Sequence, residues 1–328
     1  MPTRLTSFSK GGGCGCKIAP DVLSAILSQS PITNFPALLV GNNSNDDAAV
    51  YEINEEQCII STTDFFLPIV DSPFDFGQIA AANAISDVYA MGGNPIMAIA
   101  ILGWPIDHLP IAEAQEVMRG AQAICAKAGI PIAGGHSIQT SEPLFGLSVN
   151  GIVKKEHLKR NNTCQAGDTI YLSKPLGLGL MANAIKHDKL SEAGYARLIA
   201  LCITLNTLGH ELGAMECVTA LTDVTGFGLL GHLNEMLGPA MGAELSLEKI
   251  PVEAEAKAIA EQFIYPNITT NNYNYIKDRC TGLNGLEFLW LCDPQTSGGL
   301  LFTSNEKIIV EGCYEIGNVT ANGIIAIN

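Results

Sequence analysis

A chain of 328 residues has room for two domains of ordinary size, and 47% apolar against 16% charged residues supplies material for real cores. No apolar run approaches the ~20 residues of a membrane span. The polar, glycine-containing start after Met1-Pro2-Thr3-Arg4 carries no cleavable signal, so a soluble, cytoplasmic chain with no membrane partner is expected. A formal charge of −15 argues against a nucleic-acid partner, because bare polyanions are repelled, although a nucleotide could bind together with a divalent metal.

Near the amino terminus, Gly11-Gly12-Gly13-Cys14-Gly15-Cys16-Lys17 places two thiols and a cation among four glycines. Glycine lets such a segment approach a ligand closely, and a thiol beside a cation ionises more readily to the reactive thiolate. Competing readings are a loose terminus, half of a zinc site for which no second Cys/His pair exists, and a phosphate-binding loop. The last lacks the required Gly-Lys-Ser/Thr spelling. The other cysteines read as reduced packing residues, among them Cys58, Cys125, Cys202, Cys280 and Cys313.

A short helix is expected over 20–30, then a strand at 38–40 and a polar turn ending in Asp46-Asp47. Strands follow at 48–53 and 58–62, which puts Asp64 at a strand end. Asp75 reads as the cap of a helix to about Met91, on which Asn83 and Asp87 share one face among small apolar neighbours. The run 96–102 reads as a strand buried on both sides, 110–128 as a helix, and 130–133 as a strand leading into a Gly134-Gly135-His136-Ser137 turn. Another strand spans 145–153. The polar stretch 154–167 marks a domain boundary, taken as 1–155 and 156–328, with residues 1–20 a mobile glycine-rich loop. Beyond it come a strand at 169–173, helices near 180–187 and 193–214, a strand into Thr222-Asp223, a helix to about Leu237, and a 292–299 turn before a strand at 300–303. Both halves mix strands and helices, so the fold class is α+β, each domain a mixed sheet packed with helices.

Asp46, Asp47, Asp64, Asp87 and Asp223 lie at strand ends, in glycine-rich turns or on an apolar helix face. Magnesium favours a few such carboxylates together with phosphate oxygens; the plain alternative is capping and turn duty. Gly134-Gly135-His136-Ser137 could offer backbone N–H groups to phosphate or simply turn the chain. His136 could equally be a structural histidine. His232, Trp104 and Trp290 read as structural.

These residues resemble selenophosphate synthetase (selenide, water dikinase). The resemblance rests on Gly13-Cys14-Gly15-Cys16-Lys17-Ile18, Asn45-Asp46-Asp47-Ala48-Ala49-Val50, Ser61-Thr62-Thr63-Asp64-Phe65-Phe66 and the run from Asn83 to Gly93. Ala133 to Ser137, Thr222 to Gly228 and Asp293 to Gly299 complete it. The carboxylate motifs are shared with a superfamily that includes aminoimidazole ribonucleotide synthetase and thiamine-monophosphate kinase; the Cys-Gly-Cys-Lys run belongs to the selenium enzyme. The resemblance implies a two-domain aminoimidazole ribonucleotide synthetase-like fold, a homodimer, and Mg2+-dependent conversion of ATP, selenide and water to selenophosphate, AMP and orthophosphate. That product would feed selenocysteine and selenouridine synthesis. It also implies that Cys14 and Lys17 are catalytic, that Asp47, Asp64, Asp87 and Asp223 serve metal, and that Lys17, Ser44, Asn45, Asp46, Asp64, Asp87, Gly135, His136 and Ser137 contact nucleotide. The run Pro266-Asn267-Ile268-Thr269-Thr270-Asn271-Asn272 departs from the family's glycine- and arginine-containing pattern. Rival readings are another ATP-dependent enzyme of the superfamily and a non-catalytic selenium or metal carrier.

Overall fold

The computed structural model describes residues 4–8, 12–13, 26, 35–41 and 46–328. The expected helix at 20–30 lies outside these residues apart from Ile26. So do Cys14, Cys16, Lys17, Ser44 and Asn45.

The first sheet contains β1 (Leu38–Val40), β2 (Ala49–Glu52), β3 (Gln57–Phe66), β4 (Asn94–Trp104), β5 (Ile132–Gln139) and β6 (Leu144–Lys154). They run in the order β1-β2-β3-β6-β4-β5. The β4–β5 pair is parallel, joined through a helix, and the other pairs are antiparallel. Helix α2 (Ile111–Lys127) makes that crossover and packs against α1 (Pro73–Ala90), which joins β3 to β4. They approach so closely that a Cβ on Gly77 would overlap the Val117 carbonyl, and one on Gly120 the Phe74 carbonyl.

The second sheet orders its strands β10-β13-β9-β12-β7-β11-β8. In chain order these are β7 (Thr169–Leu172), β8 (Val218–Asp223), β9 (Gly242–Leu245), β10 (Cys280–Thr281), β11 (Leu300–Ser304), β12 (Tyr314–Thr320) and β13 (Ile325–Ile327). Around it lie α3 (Leu178–Lys186), α4 (Glu192–Cys202), α5 (Leu208–Gly213), α6 (Gly228–Leu237), α7 (Ala254–Ala260), α8 (Ile268–Ile276) and α9 (Phe288–Leu291).

Helix α1 is the hinge of the architecture. Every residue from Phe76 to Ala90 is buried, because the helix packs on the first sheet and also meets the second half of the chain. Gly209 of α5 sits so close that a Cβ there would strike the Tyr89 carbonyl. Alanines at 80, 81, 82 and 84 allow such approach on several sides. Its cap is Ser72, whose Oγ accepts from the Asp75 N–H at 3.3 Å. Asp75 is therefore a first-turn residue and not the cap, a place where the helix dipole favours a carboxylate.

Four further expectations are corrected. Strand β4 is not buried on both sides: Ile96 and Met97 are exposed, since the described helices that pack on this sheet cover only its other face. Residues Gly134 to Ser137 form no turn but lie inside β5, an edge strand exposed along most of its length. Glycine weakens a strand on its own, yet pairing with β4 from Ala98 to Trp104 holds this one extended. The helix expected over 193–214 is two helices, α4 and α5, interrupted at 203–207. Asp64 lies within β3, two residues before its end.

Candidate active site

The carboxylates gather where α1 crosses between the sheets. Asn83, Ser86 and Asp87 lie three and four residues apart on α1 and so point the same way. Asp64 and Thr62 come from the helix-facing side of β3. Asp47 stands just before β2, and Asp223 ends β8 in the second half.

Hydrogen bonds tie these residues together. Thr62 Oγ1 donates to Asp87 Oδ2 at 2.6 Å and reaches the Asp47 carbonyl at 3.4 Å. Thr222 Oγ1 donates to Asp47 Oδ1 at 2.9 Å. Ser86 Oγ donates to Asp223 Oδ2 and itself accepts from Asn206 Nδ2 at 2.8 Å. Asn83 Nδ2 donates to Asp64 Oδ2 at 2.6 Å, while its Oδ1 accepts the Ser297 N–H at 2.7 Å. Asp46 accepts the Asn161 N–H at 2.8 Å, which links the first aspartate to the segment between the domains.

The electrostatics are those of crowded carboxylates. Burial, then the charges of Asp223 and Asp87, push the Asp47 carboxyl well above the usual carboxylate range. Oδ2 of Asp47 and Oδ2 of Asp46 are buried and have no hydrogen-bond partner among the described residues. Crowded hard oxygens with spare lone pairs suit magnesium. Among the described residues no three His, Cys, Asp or Glu side chains close into a ready cage, so phosphate oxygens would have to complete the coordination.

The turn from Asp293 to Gly299 borders this cluster. Ser297 holds a left-handed φ of 53°, unusual for a residue with a Cβ. At the other end Asp293 Oδ2 accepts the Gly179 and Leu180 N–H groups of the α3 amino terminus at 2.9 and 3.1 Å, and Gln295 Nε2 at 2.8 Å. Burial nevertheless lifts the Asp293 carboxyl to about 8. Sequence reasoning counted this turn among the runs that carry the resemblance but gave none of its residues a role in the site.

The amino-terminal segment reaches the same turn. Leu5 is fully buried, Arg4 pairs with Asp71 at 3.0 Å and Asp188 at 3.1 Å, and Thr6 N donates to Asp71 at 3.1 Å. The chain is next described at Gly12 and Gly13. Gly13 N donates to the Leu67 carbonyl at 2.9 Å, at φ 55°. A Cβ there would overlap Thr296 Oγ1 and Ile69, so only glycine fits. Cys14 follows by one residue.

Not every expected residue joins the cluster. Asp64, Leu147, Ala100 and Gly135 are partners along one row across β3, β6, β4 and β5. Three strand spacings therefore separate Gly135 from Asp64, about 14 Å at the usual inter-strand distance. Gly135, His136 and Ser137 lie apart from the aspartates within one chain. His232 is buried, bonded to Thr225 at 3.2 Å and beside Glu235 at 3.3 Å, as a structural histidine should be. The divergent 266–272 run enters α8, and Asn272 Nδ2 bridges the Gly226 and Cys292 carbonyls at 2.9 and 3.0 Å.

A sheet-and-helix pair of domains meeting over buried carboxylates defines a class, and comparison with known proteins agrees. Residues 45–153 match the family model "AIR synthase related protein, N-terminal domain", and residues 165–327 match "AIR synthase related protein, C-terminal domain". The fold resembles that of thiamine monophosphate kinase from Aquifex aeolicus, with a TM-score of 0.69 at 19% identity, covering 94% of this chain and 95% of that one. It also resembles the hydrogenase maturation protein HypE in complex with ATP, with a TM-score of 0.61 at 18% identity, covering 97% and 90%. Among sequences, selenide, water dikinase of Pseudomonas putida is 53% identical over 304 residues, 92% of this chain and 88% of that protein. The protein of the same name from Colwellia psychrerythraea is 52% identical over 303 residues, 91% and 87%. The chain belongs to the selenide, water dikinase family of enzymes, as the Cys14–Lys17 run and the aspartate motifs indicate.

Proposed function

We propose that this enzyme converts ATP, selenide and water to selenophosphate, AMP and orthophosphate, with Mg2+ held at Asp47, Asp64, Asp87 and Asp223. The observation that carries the reading is the convergence of Asp47, Asp87 and Asp223 from three separate segments, with mutual repulsion that a cation would relieve. Magnesium, when bound, supplies the positive charge that both phosphoanhydride cleavages need. Thr62, Thr222, Ser86 and Asn83 orient the carboxylates. Asp46 and the Ser44–Asn45 segment before it serve the nucleotide.

Cys14 and Lys17 act from the amino-terminal segment, Cys14 as the selenium-handling thiolate and Lys17 as a cation for phosphate. The seating of Gly13 against Thr296 supports this, because it starts the segment beside Asn83 and Asp64. The 1–155 part then works as the catalytic domain, with 156–328 supplying Asp223. No described helix is long and apolar enough to cross a membrane, in keeping with a cytoplasmic enzyme.

The working form is a homodimer. Leu38, Tyr51, Ile59 and Ile152 are cross-strand partners in one row on the sheet face away from α1. Leu38, Tyr51 and Ile152 are exposed, and an apolar row of this length invites a partner. A second copy on this face offers Gly135, His136 and Ser137 of the exposed β5 a route to nucleotide that one chain lacks. Phosphorus NMR of ATP, magnesium and selenide with the enzyme tests the reading: a selenophosphate resonance with AMP supports it, and ADP with orthophosphate alone refutes it.

A further inference from the structure

Lys174 follows β7 and is 5% exposed. Among the described residues its ammonium meets no carboxylate. It donates instead to two carbonyls, Thr204 at 2.7 Å and Ser297 at 3.0 Å. Burying an ammonium without a directly paired carboxylate is unfavourable; burial lowers this one to about 8, although the nearby charges of Cys202 and Asp223 pull the other way. The two carbonyls belong to two of the segments that approach the aspartates from the second half of the chain. Thr204 lies in the break between α4 and α5, two residues before Asn206, which donates to Ser86 and to the Gly298 carbonyl at 2.9 Å. Ser297 is the left-handed residue of the 293–299 turn, and its N–H binds Asn83. Its neighbour Thr296 accepts from Cys202 Sγ at 3.4 Å through its carbonyl and lies against Gly13 through its side chain.

We propose that Lys174 is a positioning residue of the reaction: by holding the Ser297 and Thr204 carbonyls it fixes the 296–297 turn, which seats the amino-terminal segment on one side and orients Asn83 and Asp64 on the other. The inference rests on the functional reading above for what the seated segment does, but the seating itself does not. Two links leave the ammonium. One runs through Ser297 and Asn83 to Asp64. The other runs through the Thr204–Asn206 segment and Ser86 to Asp223. Asp64 and Asp223 keep their direct bonds to Asn83 and Ser86 of α1 when the ammonium is lost, whereas Gly13 lies on the 296–297 turn itself. A misplacement of about 1 Å at such a support can lower a rate by as much as ~100-fold, so loss of the ammonium is felt in delivery of the acceptor more than in nucleotide binding.

The test uses the full chain with Lys174→Met, which keeps length and removes the donors. Hydrogen exchange is followed in peptides covering Gly13 and residues 293–299. Steady-state kinetics separate kcat/KM for selenide from the affinity for Mg2+·ATP measured by calorimetry. The expected result is exchange faster by about 10-fold or more in both peptides, with kcat/KM for selenide down by a similar factor and Mg2+·ATP affinity within about 3-fold of the original. Unchanged exchange in both peptides overturns the proposal. So does an equal loss in selenide and ATP parameters, the mark of a general structural role. If Lys174→Met does not fold, Lys174→Arg decides. A guanidinium is longer and planar and cannot take the ammonium's place with both carbonyls held at the same positions, so the same split is expected at about 3-fold, and original values overturn it. Exchange needs no selenium chemistry, so it decides even if the original chain forms no selenophosphate, a result that would count against the functional reading alone.

Discussion

Thr222 and Asp47 are 175 residues apart, yet Thr222 Oγ1 donates to Asp47 Oδ1 at 2.9 Å. This bond brings the end of β8 to the threshold of β2 and is what favours the charged form of Asp47 against burial and two neighbouring carboxylates. Thr222→Val removes it at nearly constant volume. A hydrogen bond to a charged group is worth about 1.5–3 kcal/mol, so Mg2+·ATP affinity should fall by at least about 10-fold in calorimetry, with little change in secondary structure by circular dichroism.

The same repulsion gives Asp47→Asn opposite effects on folding and binding. Without metal the variant should melt higher than the original, since a buried charge beside Asp87 and Asp223 is gone. With Mg2+ and ATP the original should gain the larger shift in Tm, because binding stabilises only what binds. The two melting curves should therefore exchange order on adding Mg2+·ATP.

Asp47 also sets a pH dependence for binding. Its raised pKa means that protons compete with the metal for the carboxylate as pH falls. Mg2+·ATP affinity should weaken toward acid pH, beginning above the pH at which an ordinary aspartate protonates, and Asp47→Asn should flatten the profile.

Asp293 predicts the stability profile. Its native carboxyl sits at about 8 against an ordinary 3.8, so the native state keeps a proton that the unfolded chain has lost between those values. Stability from this group is full below about pH 4 and declines as pH rises toward about 8. Asp293→Asn should flatten that decline and raise Tm at pH 8, by about 2–4 °C for each kcal/mol recovered. Its lysine-free surroundings at the α3 amino terminus are supplied by N–H groups, which an amide oxygen can still accept.

Much of this arrangement is legible in the chain because local chemistry dictates it. Proline before α2 and Gly129 after it bracket a helix, and Asn83 with Asp87 on an alanine-rich face announce a buried polar site. What the sequence conceals comes from distant contacts. Gly134 to Ser137 spell a turn, and only pairing with β4 makes them a strand. Apolar residues at 96 and 97 spell burial, yet no helix among the described residues covers that face and they are exposed. Lys174 carries no motif, and the family run that contains Ser297 does not point to it; the link between them is a 3.0 Å contact across 123 residues.

The assembly should respond to one charge on the bare sheet face. Ile152→Glu, beside Ile59 in the row with Tyr51, places a carboxylate in any apolar contact there. Sedimentation should show a dimer for the original chain and a monomer for the variant, with ATP turnover reduced.

Cys14→Ser should separate the two halves of the chemistry. Removing the thiolate ought to lower selenophosphate formation, read by phosphorus NMR, by at least about two orders of magnitude. Mg2+·ATP affinity should stay within about 2-fold. Cys16→Ser should have a smaller effect.

Calorimetric titration of ATP into the original chain and into Asp223→Ala, each with and without magnesium, bears most directly on the carboxylate cluster. The account predicts binding to the original chain only when the metal is present, and a loss of at least about 10-fold in the variant. Equal binding without magnesium, or an Asp223→Ala variant that binds Mg2+·ATP as tightly as the original, would contradict it.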